Sequence, residues 1–221
     1  MITLVVEAAT YAGSAALLRD GAMLGERSVA MRGREHEALM PAVAELLGAH
    51  DIVPAALGRI VCGAGPGSFT SLRIAGAIAK GLALAAACPL IPVSSLALLV
   101  ASIDAPGAGR YLAGLDAMRG EHYVGLFDVS ASGVVTALGP EGRIPSDHVA
   151  ERAREWEARP VGPGQPGAGD VAPHARGAAR LLTMLDAEPI ADLACWEPAY
   201  GRLAEAQVKW EATHGRSLEA V

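Results

Sequence analysis

The stretch CGAGPGSFTSLRIAGAIAKGLA, residues 62–83, sets glycines at 63, 65 and 67 directly ahead of a run with helical character. A strand-to-helix turn of this kind can bring backbone N–H groups up to an anion, helped by the helix dipole. Two phosphate loops can be compared with it letter by letter. The dinucleotide fingerprint G-x-G-x-x-G needs its last glycine where Ser68 stands. The P-loop needs Gly-Lys-Ser/Thr where Gly63 leads instead to Ser68 and Phe69. Both patterns fail. A tight turn closed by a helix cap, with Ser68 or Thr70 accepting an orphan N–H, accounts for the same residues without a ligand. The helix is the more unusual half. Ala75, Gly76, Ala77, Ala79, Gly81 and Ala83 follow in quick succession, and each interior glycine costs about 0.5–1 kcal/mol relative to alanine. Small residues admit another backbone at close range, either from this chain's own sheet or from a second helix, and both readings stand.

Working outward, residues 2–7 (ITLVVE) read as a buried strand ending in an acid, and residues 14–29 as two extended segments around the hairpin signal Asp20-Gly21. Leu39, Val43, Leu46 and Leu47 share one helical face, with Pro41 expected to kink that helix or push its regular part downstream. RIVCG (59–63) and PLIPV (89–93) are strands, and Ser94 or Ser95 can cap a helix after the second. The order is three strands, helix, strand, helix, strand, helix. After DAPGAG (104–109) the pattern restarts. RYLAGLDAM, HYVGLFDV and GVVTAL read as strands, residues 147–157 as helical, RPVGP as a short strand and 173–185 as a helix. Residues 162–170, GPGQPGAGD, form a loop, and the tail from Arg202 to Gly215 carries helix formers. A unit repeated in this way is the layout of a duplicated ribonuclease-H-like α/β fold with two lobes facing a cleft.

Composition narrows the function classes. The chain has 221 residues, 52% of them hydrophobic but only 4% aromatic, so its core is aliphatic and alanine-rich. Eighteen basic against 24 acidic residues give a net charge of -6, which argues against gripping nucleic acid unaided. Arg27, Arg32 and Arg34, and Arg152, Arg154 and Arg159, are interleaved with glutamates and read as solvated faces. Three well-separated cysteines suit neither a disulfide framework nor a zinc site and fit a reducing cytosol. The most apolar window, residues 81–101, is broken by Pro89, Pro92 and serines, so a cytoplasmic protein without a membrane span is expected.

Catalytic groups are sparse. No two of the six histidines stand three to five residues apart, so a helical metal pair is absent and no metal site is expected. GPGSF is not the G-x-S-x-G nucleophile elbow, and no histidine is tied to Ser68 by local spacing.

These residues carry a family resemblance. GPGSFTSLRIAGAIAKGLA (65–83) is similar to the signature of the bacterial TsaB family, also called YeaZ. REHEALMPAV (34–43) resembles the family's first helix, VSSLALL (93–99) its segment after the fifth strand, LDAMRGEHYVGLFD (115–128) its second-lobe hairpin, and EPAYGRLAEAQ (197–207) its C-terminal Pro-x-Tyr region. The resemblance implies two ribonuclease-H-like lobes of the actin-like ATPase and sugar kinase superfamily. Expected bounds are 1–104 for the first lobe, 105–200 for a smaller second lobe, and 201–221 for a C-terminal helix packing back on the first.

It also implies a non-catalytic companion of TsaD, the subunit that transfers threonylcarbamoyl to a tRNA adenosine. TsaE would join the larger complex, tRNA would be met only through it, and a homodimer would form in isolation. No cofactor follows. The docking residues implied are His36, Leu39, Met40 and Val43 on the first helix, and Thr70, Arg73, Ala75, Gly76, Ala79 and Lys80 on the second. The alternative, an ATP-dependent kinase or ATPase working in the inter-lobe cleft, would draw on Glu7, Thr10, Gly65, Gly67 and Ser68. One departure bears on it. The family usually places an aspartate followed by Thr-Ser where this chain has Glu7, Ala8 and Ala9. Fewer hydroxyls are then offered to a nucleotide or its magnesium shell.

Overall fold

The computed structural model describes residues 1–32, 37–164, 171–181, 184–185, 188–201 and 213–214. The chain opens with an antiparallel meander of β1 (Ile2–Glu7), β2 (Ala12–Arg19) and β3 (Ala22–Ala30). Asp20 and Gly21 make the β2–β3 turn, both with positive φ, as a two-residue hairpin requires. Helix α1 (Leu39–Ala49), β4 (Arg59–Gly63), α2 (Phe69–Ala86), β5 (Leu90–Val93) and α3 (Ser95–Ala101) follow, the order expected from periodicity and turn residues. β4 pairs parallel with β1 and β5 parallel with β4, giving a sheet ordered β3-β2-β1-β4-β5. Pro41 does not kink α1. It lies in the first turn, where a missing N–H costs no intrahelical bond.

A second sheet repeats this plan in reduced form. β6 (Gly109–Asp116) pairs antiparallel with β7 (Glu121–Val129) and parallel with β10 (Arg159–Val161). β6, β7 and β10 thus stand as β1, β2 and β4 do in the first sheet. Two short pieces share the flank of β7: β8 (Val135–Ala137) and β9 (Gly142–Pro145). β9 was not expected, because four residues bounded by glycine and proline carry no readable alternation. Helix α4 (Val149–Glu155) lies between β9 and β10 in the chain. Of residues 173–185, expected to be helical, Ala175–Arg180 form a 3-10 segment, and no α-helix occurs among the described ones. Tertiary partners hold it: Ala175 N donates to Ser14 Oγ at 2.9 Å, and Arg180 Nη1 to Ala101 O at 3.0 Å. Apart from Gly201, Thr213 and His214, the expected C-terminal helix lies outside the described residues.

The alternation of the strands assigns each face its cover. Leu4, Val6, Ala15, Leu17, Ile60 and Cys62 pack beneath α1 and α2. Val5, Ala16, Leu18 and Val61 point the other way, into a core shared with α3 and with Tyr111, Leu115 and Phe127 of the second sheet. All seven residues of α3 are buried, the mark of a helix apolar all round. Leu112 and Val124 use the far face of the second sheet against Val149 and Ala153 of α4. The result is an α/β fold of two lobes joined through α3 by a continuous core. Helix Phe69–Ala86 is long and apolar enough to cross a membrane, yet Ala75, Ala79, Leu82 and Ala83 bury its inner side on the first sheet.

Candidate functional site

The glycine loop joins β4 to α2 at the carboxyl end of the parallel strands, where α/β folds commonly hold ligands. Here the chain itself uses the loop. Ala64 N donates to Val93 O at 2.8 Å, Gly65 N to Ser95 Oγ at 3.1 Å, and Ser68 N to Ala9 O at 2.7 Å. Three backbone donors that an anion cradle would present are thereby engaged. Ser68 occupies the N-cap position of α2, but its side chain makes no capping bond and instead accepts from Ser71 Oγ at 3.1 Å. Ser94 is the serine that caps, accepting from Leu96 N and Ala97 N at the start of α3.

The outer side of the loop is covered by residues 188–201, which run across the first lobe as a strap. Ile190 N pairs with Leu90 O at 2.9 Å on the edge strand β5. Lys80 Nζ donates to Trp196 O at 2.6 Å and to Ala194 O at 3.4 Å. Pro198 crosses α2 at Gly76, where an added Cβ would lie 3.2 Å from Pro198 Cγ. Ala199 N then donates to Ala64 O at 2.7 Å, and Ala199 O sits so close to Gly65 that a Cβ there would be 2.3 Å away. Finally the Tyr200 ring meets Phe69 at 4.5 Å between centroids, and Tyr123 Oη donates to Tyr200 O at 3.3 Å. The strap was not visible from periodicity, since backbone-to-backbone contacts over this separation leave none. The small residues at 65 and 76, set against Pro-Ala-Tyr at 198–200, were the available signal.

Glu7 is fully buried. Ser95 Oγ donates to its Oε2 at 2.8 Å, and Ala9 N donates to its Oε1. Burial outweighs both bonds and pushes its carboxyl up to about 7. Burial, with the Glu7 charge, also raises the Cys62 thiol. With both oxygens held internally, Glu7 presents nothing to a nucleotide. Thr10 bonds locally, through Oγ1, to Ala12 N at 3.2 Å.

The residues implied for docking divide sharply. Leu39, Val43, Ala75 and Ala79 are 0% exposed and serve this chain's own core. Gly76 lies beneath the strap and Lys80 fastens it. Of the two readings of the small-residue helix, packing within the chain is thus the use made of its inner face. Met40, Thr70 and Arg73 are exposed, with the Arg73 guanidinium 5.4 Å from the Phe69 ring. His36 lies outside the described residues. The outer stripe of α2 continues from Thr70 and Arg73 through Ala77 and Gly81 to Leu84, which is 68% exposed. On α1 the open positions are Met40, Pro41, Ala44, Glu45, Gly48 and Ala49. Ala77, Gly81 and Leu84 escaped the sequence reading because alanines on every side of α2 hide which face is inward.

A cavity of about 320 Å³ lies elsewhere, between β2, β3 and residues 171–176. Its charged groups are paired: Arg176 lies 3.9 Å from Glu26 and 3.4 Å from Asp104. Ser28 Oγ holds His174 Nε2 at 2.9 Å, and burial pushes that imidazole down. Among the described residues no three His, Cys, Asp or Glu side chains are grouped to hold a metal ion.

Known proteins resemble this chain over most of its length. A family model described as TsaD: tRNA N6-adenosine threonylcarbamoyltransferase matches residues 31–149. The tRNA threonylcarbamoyladenosine biosynthesis protein TsaB of Bacillus subtilis (strain 168) is 31% identical over 232 residues, covering 95% of this chain and 98% of that protein. TsaB of Escherichia coli (strain K12) is 33% identical over 157 residues, 70% of this chain and 67% of its own. Among solved structures, YeaZ from Pseudomonas aeruginosa superposes with a TM-score of 0.76 at 28% identity, covering 90% of this chain and 99% of that one.

Proposed function

This chain belongs to the TsaB (YeaZ) family of tRNA threonylcarbamoyladenosine biosynthesis proteins, and from that membership we propose that it is the non-catalytic companion that binds and activates TsaD. The observation that carries the reading is the outer stripe of α2. Thr70, Arg73, Ala77, Gly81 and Leu84 stand open on α2, which covers the same face of the first sheet as α1, while the opposite face of α2 is built into that sheet. Exposed small and apolar side chains on one helix suit the close approach of a second helix. The docking set is accordingly Met40, Ala44, Thr70, Arg73, Ala77, Gly81 and Leu84, with Leu39, Val43, Ala75 and Ala79 supporting it from beneath. In the isolated protein the same stripe would join two copies. TsaE would associate with the TsaD complex, tRNA would be reached only through that complex, and the whole would work in the cytoplasm.

The kinase or ATPase reading rests on likeness of fold, which does not fix function. The engaged loop donors and the inward-held Glu7 weigh against it. The deciding experiment is threonylcarbamoyl transfer to tRNA by the cognate TsaD, supplied with preformed adenylate, with and without this chain. Strong dependence on a companion that turns over no ATP is expected. Unchanged transfer by a competent TsaD would overturn the proposal.

A further inference from the structure

The first two residues after β5 each hold a carboxylate from a different part of the molecule. Ser94 Oγ donates to Glu141, an exposed side chain on the loop between β8 and β9 of the second lobe. The same oxygen accepts from Leu96 N at 3.1 Å and Ala97 N at 3.2 Å, so the group that caps α3 is also the group that Glu141 grips. The next residue, Ser95, donates to Glu7 at 2.8 Å and accepts from Gly65 N at 3.1 Å. From Glu7 the bonds continue: Ala9 N donates to Glu7, and Ala9 O accepts at 2.7 Å from Ser68 N, the N-cap residue of α2.

Between Ser94 and Ser68 every link is buried. Glu7 and Ser95 are 0% exposed and Ala9 is 3% exposed. Water cannot take the place of a partner that moves away, so a bond lost at one link is a polar group orphaned in the core, and neighbouring groups must follow. Close packing adds to this. A Cβ at Gly63 would lie 1.7 Å from Glu7 Oε2, so the carboxylate has no room on that side. Helix α3, buried on every face, carries Ser94 and Ser95 as a rigid body. The Glu141 end is exposed, and Ser68 at the other end is half-buried.

We propose that Glu141, Ser94, Ser95, Glu7, Ala9 and Ser68 form a relay through which the second lobe sets the position of the first turn of α2. A contact made or broken at Glu141 is then felt at the glycine loop and at Thr70 and Arg73. If α2 docks TsaD, as proposed above, occupancy at Glu141 changes the affinity for that partner. That consequence rests on the docking reading, whereas the relay does not.

The test uses the full chain alone, with amide hydrogen exchange followed residue by residue. Glu141→Ala is expected to speed exchange at Gly65 and Ser68 by about fivefold or more, the lower bound of ordinary coupling between sites. Arg143→Ala, which removes a surface partner of Glu121 on the same lobe, should leave both amides unchanged. In a Ser95→Ala background, Glu141→Ala should add nothing further at Ser68. If that background does not fold, Ser95→Cys, with a weaker donor, should blunt the response. Faster exchange confined to Leu96 and Ala97 would overturn the relay, as would acceleration spread evenly over both sheets. Because no partner is present, failure here would leave the docking proposal standing.

Discussion

Lys80 Nζ donates to Trp196 O at 2.6 Å, tying the middle of α2 to the strap that crosses it. The ammonium reaches a second carbonyl, Ala194 O, at 3.4 Å, so one side chain holds both ends of a short turn. Lys80→Met keeps the aliphatic stem but releases both acceptors. A charged hydrogen bond contributes about 1.5–3 kcal/mol, and partial exposure of Lys80 reduces this to about 1 kcal/mol for the variant. Limited chymotryptic cleavage at Trp196 should quicken well before the global unfolding midpoint moves. Unchanged cleavage would show that Pro198 and Ala199 alone hold the strap.

Ala77 and Ala79 differ by two positions on α2 and should differ completely in consequence. Ala79 is 0% exposed on the first sheet, whereas Ala77 faces outward. Ala79→Glu buries an unpaired carboxylate in a packed site and should cost about 3 kcal/mol or more, visible as loss of cooperative folding. Ala77→Glu should alter stability by about 0.5 kcal/mol or less and weaken TsaD pairing at least about tenfold, read by calorimetry. Normal pairing by folded Ala77→Glu would remove α2 from the interface.

That contrast also marks what the sequence could and could not disclose. The first lobe was legible because each element announces itself locally: the apolar run of β1, the Asp20-Gly21 turn, the Leu39/Val43/Leu46/Leu47 face, and a serine cap at 94 or 95, which Ser94 supplies. Orientation was not legible in α2, where alanine and glycine stand on both the buried face (Ala75, Gly76, Ala79, Ala83) and the open one (Ala77, Gly81). The second lobe blurred where tertiary contacts replaced local ones. Arg176 and Arg180 bond to backbone carbonyls at the end of α3, so Ala175–Arg180 need not complete a helix of its own. Ser68 illustrates a further limit: a cap residue by type and position, it lends its amide to Ala9 and its hydroxyl to Ser71.

Glu7 should leave a signature in the dependence of stability on pH. Its folded carboxyl titrates near 7, raised by burial from an ordinary value of 4.5. Between those values the folded state holds more protons than the unfolded one, so stability falls as pH rises through this window and levels off above it. Below about 4.5 both states are protonated and the penalty is absent. The Glu7 contribution amounts to about 3 kcal/mol across the window. Glu7→Gln should flatten the slope between pH 5 and 7 in urea titrations, and a wild-type slope retained by the variant would place the proton elsewhere.

Gly65 offers the clearest separation between a phosphate cradle and a strap seat. Its φ of +90° is costly for any L side chain, and a Cβ would fall 2.3 Å from Ala199 O, a backbone atom with little freedom to retreat. Gly65→Ala should therefore lose about 2 kcal/mol and speed exchange of the Ala199 amide, whose acceptor is Ala64 O. Gly48, which has no atom within 4 Å of an added Cβ, supplies the comparison: Gly48→Ala in α1 should be neutral or stabilising by up to about 1 kcal/mol. If the loop instead served a nucleotide, ATP would protect the wild-type Gly65 and Ser68 amides, and Gly65→Ala would abolish that protection. With Gly65 N already given to Ser95 and Ser68 N to Ala9, the expected result is a destabilised strap and no effect of ATP on either protein.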